Sequence, residues 1–424
     1  MKVKTYTYPS GLRLVVETLS DSKAATLFVG INTGSVNETD YNNGISHVIE
    51  HMLFKGTNTR DAQQISKELE DLGANVNAFT SKYHTCFYAS CMSEYMDKSF
   101  DVLSDMIFNS VFDQKELNKE LKVIYEEIDM YQDDPSSVCY DRFNELFFAG
   151  TKLEKNVIGT KQVLSKLTRQ DILDYMSKYY TAPNMVISVA GGIDFDRAKQ
   201  LCDKFFANNF KSKANPNVYN IQSTLIHKPN ATFDYIKKDI AQTHIIFGYP
   251  TYSLYGKHNS ELNILSFILG GGMSSRLFQT IREKYGYVYS INALPELYDI
   301  GGVVTINLAT NHQNQKDAVD KINEVISDLV KNGITEEELA RAKTFCKSMI
   351  VMSSETTINI ARHNVANMII YNEYRSLDTK LNNLDKVQLA DINALILEIF
   401  ETKHICGAVV SDKPDKTLFD VFAN

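Results

Sequence analysis

Hydrophobic and polar residues follow one another along the first part of the chain in patterns that predict strands and helices in turn. The segment TYTYPSGLRLVVET (residues 5–18) alternates around a Pro-Ser-Gly turn, and AATLFVGINTG (24–34) is a more continuously apolar run, so both predict β-strands. Helical periodicity follows in residues 44–55 and in RDAQQISKELEDLG (60–73), which ends on a glycine as many helices do. The next segment, ANVNAFTSKYHTCFYASC (74–91), returns to strand character.

The rest of the first half is mostly helical. From Ser93 to about Gly150 the periodicity predicts two or three long helices, with a break at Asp134-Pro135. Three further elements follow: a helix near 163–178, the strand NMVISVAGG and a helix from Asp194 to about Phe206.

The second half repeats this order. QTHIIFGYPT predicts a strand, SELNILSFILGGG and SSRLFQTIREKYG predict helices, and YVYSINA predicts a strand. Setting QISKELEDLGANVNAFT beside LFQTIREKYGYVYSINA places Gly73 against Gly286, about half the chain apart. The simplest interpretation is an α+β fold with two homologous domains, 1–210 and 231–424, each a mostly antiparallel sheet packed with helices. Residues 211–230, with two of the eight prolines, are the predicted linker.

Length, composition and charge narrow the classes of protein. A chain of 424 residues exceeds the usual size of one hydrophobic core, and 44% hydrophobic with 23% charged residues is typical of a globular protein. The net charge of −8 disfavours nucleic acid or an anionic membrane as the main partner. No apolar run approaches the ~20 residues of a membrane span, and the N-terminus lacks a signal-like core, so we expect a soluble, cytoplasmic protein. Six scattered cysteines fit reduced, buried thiols.

The segment GISHVIEHMLFKGT carries the strongest chemical signal in the sequence. On a helix, His47 and His51 stack on one face one turn apart, and Glu50 shares that face, so the imidazoles converge on one cation. HxxEH mirrors the HExxH helix and is the signature of inverted zinc peptidases. The alternative interpretation is a helix that carries two solvated histidines.

A catalytic zinc site needs a third protein ligand. In QKELNKELKVIYEEIDMYQDDP, Glu120 and Glu127 lie two helical turns apart and share one face, among apolar residues that indicate a packed helix. Glu116 and Glu126 point elsewhere and are interpreted as surface charges. Solvated surface charge is also the alternative for Glu120 and Glu127.

HxxEH followed by this glutamate resembles the pitrilysin/insulysin family of zinc peptidases, which includes the mitochondrial processing peptidase. Four blocks occur in the family's order: GSVNE…NGISHVIEHMLFKGTNTR, NVNAFTSKYHTCFYASC, ELKVIYEEIDMYQDDP and GGGMSSRLFQTIREKYGYVYS. The resemblance covers nearly the whole chain, whose length fits the single-unit branch. It implies two domains that face each other across a substrate cavity, and a zinc-dependent endopeptidase acting on peptides or unfolded polypeptide.

The resemblance also implies roles for individual residues. His47, His51 and Glu127 would bind one zinc ion per chain, and Glu50 would be the general base that takes a proton from the attacking water. Glu120 matches the carboxylate that steadies a ligand histidine from behind.

The resemblance extends to residues that bind substrate. Arg282 and Tyr289, in REKYGYVY, match a pair that the non-zinc domain contributes beside the metal. NVNAFT matches an edge strand to which substrate adds as an extra β-strand, so Asn77, Ala78 and Phe79 are expected to bind substrate.

Some features depart from the family pattern or leave alternatives open. Relatives commonly carry a His-Pro-Leu-Gly-like segment before IGT, whereas this chain has GTKLEKNVIGT, which puts substrate contacts from that loop in doubt. The other histidines show no ligand spacing, and among them His84 lies in the edge-strand block. A non-catalytic or partner-dependent subunit of a processing-peptidase-like heterodimer is the main rival, and a peptide-binding module is a third interpretation. For an active chain, a homodimer is the expected assembly.

Overall fold

A computed structural model describes residues 2–210 and 226–422 of the chain. Its strands are β1 (Lys2–Thr7), β2 (Arg13–Thr18), β3 (Ala24–Ile31), β4 (Asn75–Thr80), β5 (Thr85–Met92), β6 (Met185–Gly191), β7 (Thr232–Lys237), β8 (Thr243–Thr251), β9 (Val288–Leu297), β10 (Gly302–Thr310) and β11 (Cys406–Ser411). Its α-helices are α1 (Ile45–Met52), α2 (Ala62–Glu70), α3 (Met96–Asn109), α4 (Gln114–Asp133), α5 (Pro135–Phe147), α6 (Lys161–Leu164), α7 (Arg169–Tyr179), α8 (Phe195–Phe205), α9 (Asn259–Gly270), α10 (Gln315–Asn332), α11 (Glu336–Met352), α12 (Thr357–Ile370), α13 (Leu377–Lys386) and α14 (Leu389–Phe400). Phe278–Lys284 forms a π-helix.

The first compact unit contains the described residues of 2–129, 155–210 and 352–376. Its six strands lie in the order β1-β2-β6-β3-β5-β4, and all neighbouring pairs are antiparallel except β2 with β6. One face of the sheet packs against α1, α3, α7 and α8, and the other packs against α12. Because both faces are covered, β2 and β3 are buried along most of their length, which explains why β3 has an almost continuous apolar run.

The second compact unit contains the described residues of 130–154, 226–351 and 377–422. Its five strands lie in the order β7-β11-β8-β10-β9, again antiparallel except for one pair, β7 with β11. This order matches β2-β6-β3-β5-β4 of the first unit strand for strand. The predicted repeat of two α+β halves with mostly antiparallel sheets is therefore confirmed.

Each sheet takes one covering helix from the other half of the chain. Helix α12 packs on β3 and β6 of the first unit, and α5 packs on β11 and β8 of the second. A glycine lies under each helix at equivalent places, since a Cβ on Gly30 of β3 would overlap Val365 of α12, and one on Gly248 of β8 would overlap Phe143 of α5. The compact units therefore differ from the predicted domains in two segments: residues 352–376 pack with the first unit, and residues 130–154 pack with the second. Those boundaries remain a prediction about the halves of the repeat.

Most of the predicted elements are present, with some differences in detail. Three helices cover the segment from Ser93 to Gly150, and the break at Asp134 is the N-cap of α5. The two aligned glycines, Gly73 and Gly286, both adopt positive φ (56° and 64°) after a helix and before an edge strand. The helix predicted in SSRLFQTIREKYG takes π form over Phe278–Lys284. Residues 211–225, most of the predicted linker, lie outside the described residues.

No helix in the described part of the chain combines the length and the apolar character that crossing a membrane requires.

The close approach at Gly30 gives a prediction about the packing of α12. Gly30→Ala is expected to lower the free energy of unfolding by about 1–3 kcal/mol, because its Cβ would overlap Val365, whose branched side chain has few rotamers. Urea unfolding of Gly30→Ala, Val365→Ala and the double variant measures this. The double variant should be destabilised less than the sum of the single variants, and additive effects would contradict the proposed contact.

Candidate metal centre

Helix α1 presents the His-Glu-His set on its less buried side. Ile45, Val48, Ile49 and Met52 are fully buried in the core of the first unit and fix which stripe of the helix faces inward. His47, Glu50 and His51 therefore share the remaining stripe, where each is only partly buried. The amphipathic pattern alone thus sets the direction of the three functional side chains.

Helix α4 brings the third donor to the same place. Leu117, Leu121, Ile124 and Ile128 bury one side of this helix, while Glu120 and Glu127 lie two turns apart on the side that faces α1. Oε2 of Glu127 lies 3.7 Å from Nε2 of His47 and 3.7 Å from Nε2 of His51.

The donor atoms fit a zinc ion. One ligand atom from each of His47, His51 and Glu127 lies within 4.8 Å of the other two. Ligands at ~2.1 Å from a tetrahedral zinc lie roughly 3.4 Å from one another, so the two 3.7 Å distances need only small adjustment. Within residues 2–210 and 226–422, this is the one group of three or more His, Cys, Asp or Glu side chains that meets the geometry of a metal site.

Glu120 holds His51 from behind. Its Oε1 lies 2.8 Å from Nδ1 of His51, and its Oε2 lies 2.7 Å from Nζ of Lys55. Burial alone would raise the pKa of Glu120, but the hydrogen bonds from His51 and Lys55 outweigh burial and lower it. The Glu120 carboxylate can accept a proton from Nδ1 of His51, an arrangement that leaves Nε2 of His51 facing Glu127.

His47 and Glu50 have protonation states that suit a metal ligand and a base. Burial, with a smaller contribution from His51, lowers the pKa of His47 to about 4, so its imidazole is neutral at pH 7. Burial raises the pKa of Glu50, although the Thr80 hydroxyl donates a 2.6 Å hydrogen bond to its Oε2 and opposes that shift. Thr80 is not among the site residues predicted from the sequence. The available signal was its place on β4, two residues after Ala78, on the face that packs toward α1.

The predicted substrate strand lies at the edge of its sheet. β4 is the last strand in the order, paired with β5 in the register Asn77 with Tyr88 and Ala78 with Phe87. The backbone N–H of Ala78 donates a 2.8 Å hydrogen bond to the side-chain oxygen of Asn77, so an incoming strand would have to displace this local contact. Phe79 points to the other face of the sheet, where its ring contacts Phe28.

Arg282 and Tyr289 lie together in the second unit. Arg282 is on the π-helix Phe278–Lys284, with its guanidinium carbon 4.7 Å from the ring centre of Phe278 and 5.8 Å from that of Tyr289. Tyr289 is the second residue of the edge strand β9 and is 75% exposed. The two side chains are thus neighbours within their own unit, and their role at the metal remains a prediction.

His84 does not join the metal ligands. It lies in the turn between β4 and β5, packs its ring against Phe79, and has a pKa lowered to about 4, by burial first and by Arg362 second. Among the other histidines, His227, His312 and His404 each contact a backbone carbonyl oxygen through a ring nitrogen.

Two structurally repeated α+β units, one of which brings His47, His51 and Glu127 together as a candidate metal site, define the class of protein. The family model described as insulinase, peptidase family M16, matches residues 13–161, and the model described as the peptidase M16 inactive domain matches residues 166–345. The chain belongs to peptidase family M16. The second description agrees with a second half that lacks a His-Glu-His set.

Relatives match almost the full length of the chain. A protein of Bacillus subtilis (strain 168), named uncharacterized zinc protease YmxG, is 35% identical over 96% of this chain and 98% of its own length. An uncharacterized zinc protease of Rickettsia felis is 33% identical over 90% of each chain. The crystal structure of a protease from Helicobacter pylori has a similar fold, with a TM-score of 0.88 at 22% identity over 97% of this chain and 99% of that one.

Removing the carboxylate of Glu120 is expected to weaken metal binding. Glu120→Gln should raise the zinc dissociation constant about 10- to 100-fold, because the hydrogen bond that orients His51 loses its charged acceptor. Competition with a chromogenic chelator measures this constant. Glu116→Gln is the matched control, since Glu116 lies on the same helix and pairs only with Lys119 at the surface. Equal zinc affinity in the two variants would contradict the assigned role.

Proposed function

We propose that the protein is a zinc-dependent endopeptidase that hydrolyses peptides or unfolded polypeptide segments. The observation that carries this proposal is the convergence of His47, His51 and Glu127, whose donor atoms lie within 4.8 Å of one another, with the carboxylate of Glu50 on the same face of α1 as the two histidines. Membership of peptidase family M16, with relatives named zinc proteases, supports the reaction class.

Each residue of the centre has a part in this proposal. Zinc held by His47, His51 and Glu127, one ion per chain, would supply a Lewis acid that lowers the pKa of a water molecule and polarises a peptide carbonyl. Glu50 takes the proton of the attacking water and returns it to the leaving amine, a task suited to a carboxylate whose pKa burial has raised. The hydroxyl of Thr80 holds one carboxylate oxygen of Glu50 and so fixes the direction of the other.

Substrate binding is proposed at the open edge of β4. An extended peptide would pair with the backbone near Asn77, Ala78 and Phe79, next to Thr80, whose side chain already reaches Glu50. Recognition through the backbone favours extended or unfolded segments and gives loose sequence preference. Arg282 and Tyr289 are proposed to bind the same substrate, a role supported by their stacked arrangement and by the exposure of Tyr289.

The alternative is a non-catalytic or partner-dependent subunit. The complete donor set, the base and the Arg/Tyr pair are all present in this chain, which favours an active enzyme over a scaffold. A homodimer and a cytoplasmic location remain predictions, and sedimentation of the purified chain tests the first.

Glu50→Gln is expected to abolish cleavage and to retain zinc. Loss of a general base costs about 10²–10⁴-fold in kcat, whereas His47, His51 and Glu127 keep their donors. Cleavage of a quenched peptide library, combined with zinc analysis, measures both quantities. Glu126→Gln, an exposed change on α4, is the control. Full activity of Glu50→Gln would contradict the proposal. A wild-type protein that takes up no zinc and cleaves nothing would contradict it as well.

Arg282→Ala and Tyr289→Phe are expected to lower kcat/KM by roughly 10²-fold while the zinc dissociation constant stays unchanged, because they remove donors to substrate and no metal ligand. Steady-state kinetics on one peptide found in the library measures the effect. Arg341→Ala removes an exposed arginine of the same unit and serves as control. If Arg282→Ala and Tyr289→Phe both retain wild-type kinetics, the pair has no part in catalysis.

A further inference from the structure

Helix α1 begins without a capping side chain of its own. Its N-cap is Gly44, in a left-handed conformation with φ of 95°. Serine, threonine, aspartate or asparagine usually occupies this position and accepts a hydrogen bond from the first free backbone N–H groups. Here a Cβ would lie 2.6 Å from the carbonyl oxygen of Ile158 and 3.0 Å from Cα of Gly159, so the backbone packing excludes every ordinary capping residue.

Glu38 supplies the missing acceptor from six residues upstream. Its Oε2 accepts hydrogen bonds from the Gly44 N–H (2.7 Å) and the Asn43 side chain (2.9 Å), and its Oε1 accepts from the Ser46 N–H (2.9 Å). The residue is only 9% exposed. Burial raises the pKa of Glu38, and the hydrogen bonds from Gly44, Ser46 and Asn43 oppose that rise. The carboxyl group lies at the positive end of the α1 dipole, which favours its ionised form.

This cap differs from the side-chain caps of other helices in the same unit. α2 and α8 are capped by Asp61 and Asp194, each an N-cap residue whose hydrogen bond lies at the surface. A buried carboxylate is costly unless its oxygens are well satisfied. The three hydrogen bonds that Glu38 accepts are buried. A fourth buried contact lies beside them, where the Ser46 hydroxyl is 2.9 Å from the hydroxyl of Tyr175.

The first turn of α1 carries His47, and the ring of His47 depends on that turn. Glu120 orients His51 through Nδ1, but Nδ1 of His47 is buried with no hydrogen-bond partner among the described residues. The orientation of Nε2 of His47 toward Glu127 therefore depends on side-chain packing and on the position of the His47 backbone. The backbone at His47 follows directly after Ser46, whose N–H is bound to Glu38.

We propose that Glu38 is a positioning residue that fixes the first turn of α1. By fixing this turn it orients His47, whose ring has no orienting hydrogen bond at Nδ1 among the described residues. The proposal deepens the proposed function and rests on it for the metal, but the anchoring itself is a property of the metal-free chain. Glu38 touches neither substrate nor metal. It acts on the chemistry through the backbone of residues 44–46.

The test uses the full chain with Glu38→Gln and Glu38→Asp. Glu38→Gln should raise the zinc dissociation constant about tenfold and change the visible absorption spectrum of the Co²⁺-loaded protein. In the metal-free protein, amide hydrogen exchange of residues 44–52 should accelerate. Glu38→Asp keeps the carboxyl group at a shorter reach and should give intermediate values, so it carries the test if Glu38→Gln does not fold.

Asp194→Ala is the matched control, since it removes the cap of α8 in the same unit and does not touch α1. It should lower Tm and leave the zinc dissociation constant, the Co²⁺ spectrum and the exchange of residues 44–52 as in the wild type. Wild-type values of all three in Glu38→Gln, or equal changes in the control, would overturn the proposal. Peptide cleavage by the wild type is scored separately: a chain that binds zinc and cleaves nothing contradicts the proposed function, while the metal and exchange measurements still decide the role of Glu38.

Discussion

An eight-residue helix cannot hold two candidate metal ligands and a proposed base in register by its own backbone hydrogen bonds, because isolated helices of this length are unstable in water. Everything that fixes α1 comes from outside it. Its buried face meets the core of the first unit, Glu38 and Tyr175 hold its beginning, and Glu120 holds His51 in its last turn. The geometry of the metal centre is therefore a consequence of tertiary structure, and the five-letter motif contributes the donor atoms.

The sheet beneath α1 obeys a related constraint. A mixed sheet whose central strands are apolar on both faces must be covered twice. The first half of the chain supplies helices for one face of its own sheet, and α12 from the second half covers the other. The second sheet obtains α5 from the first half in the same way. Gly30 and Gly248 occupy equivalent strand positions. At each position the absence of a side chain lets a helix from the other half of the chain, α12 or α5, approach the strand backbone.

These long-range relations mark the limit of what the sequence predicts. Periodicity located the helix of His47 and His51, and the two-turn spacing of Glu120 and Glu127 found the partner helix, because both signals are local. Resemblance added the pairing of the two segments. Nothing local marks Glu38 as the cap of α1, since it lies six residues before Gly44 and outside any capping motif. Likewise, the hydroxyl of Thr80 meets Glu50 only because β4 and α1 pack together, and the exchange of α5 and α12 has no signature in a sequence of alternating helices and strands.

The repeat separates features that serve the fold from those that occur in one half. In both units a helix ends at a positive-φ glycine and leads into the edge strand, β4 after Gly73 and β9 after Gly286. Three features serve the fold and occur in both halves: the edge strand, the positive-φ glycine before it, and the strand glycine under the helix from the other half. The His-Glu-His set, which is proposed to serve the metal, occurs in the first half. Because α12 comes from the second half of the chain and covers one face of the first sheet, the half without a His-Glu-His set contributes to the packing of the half that has one.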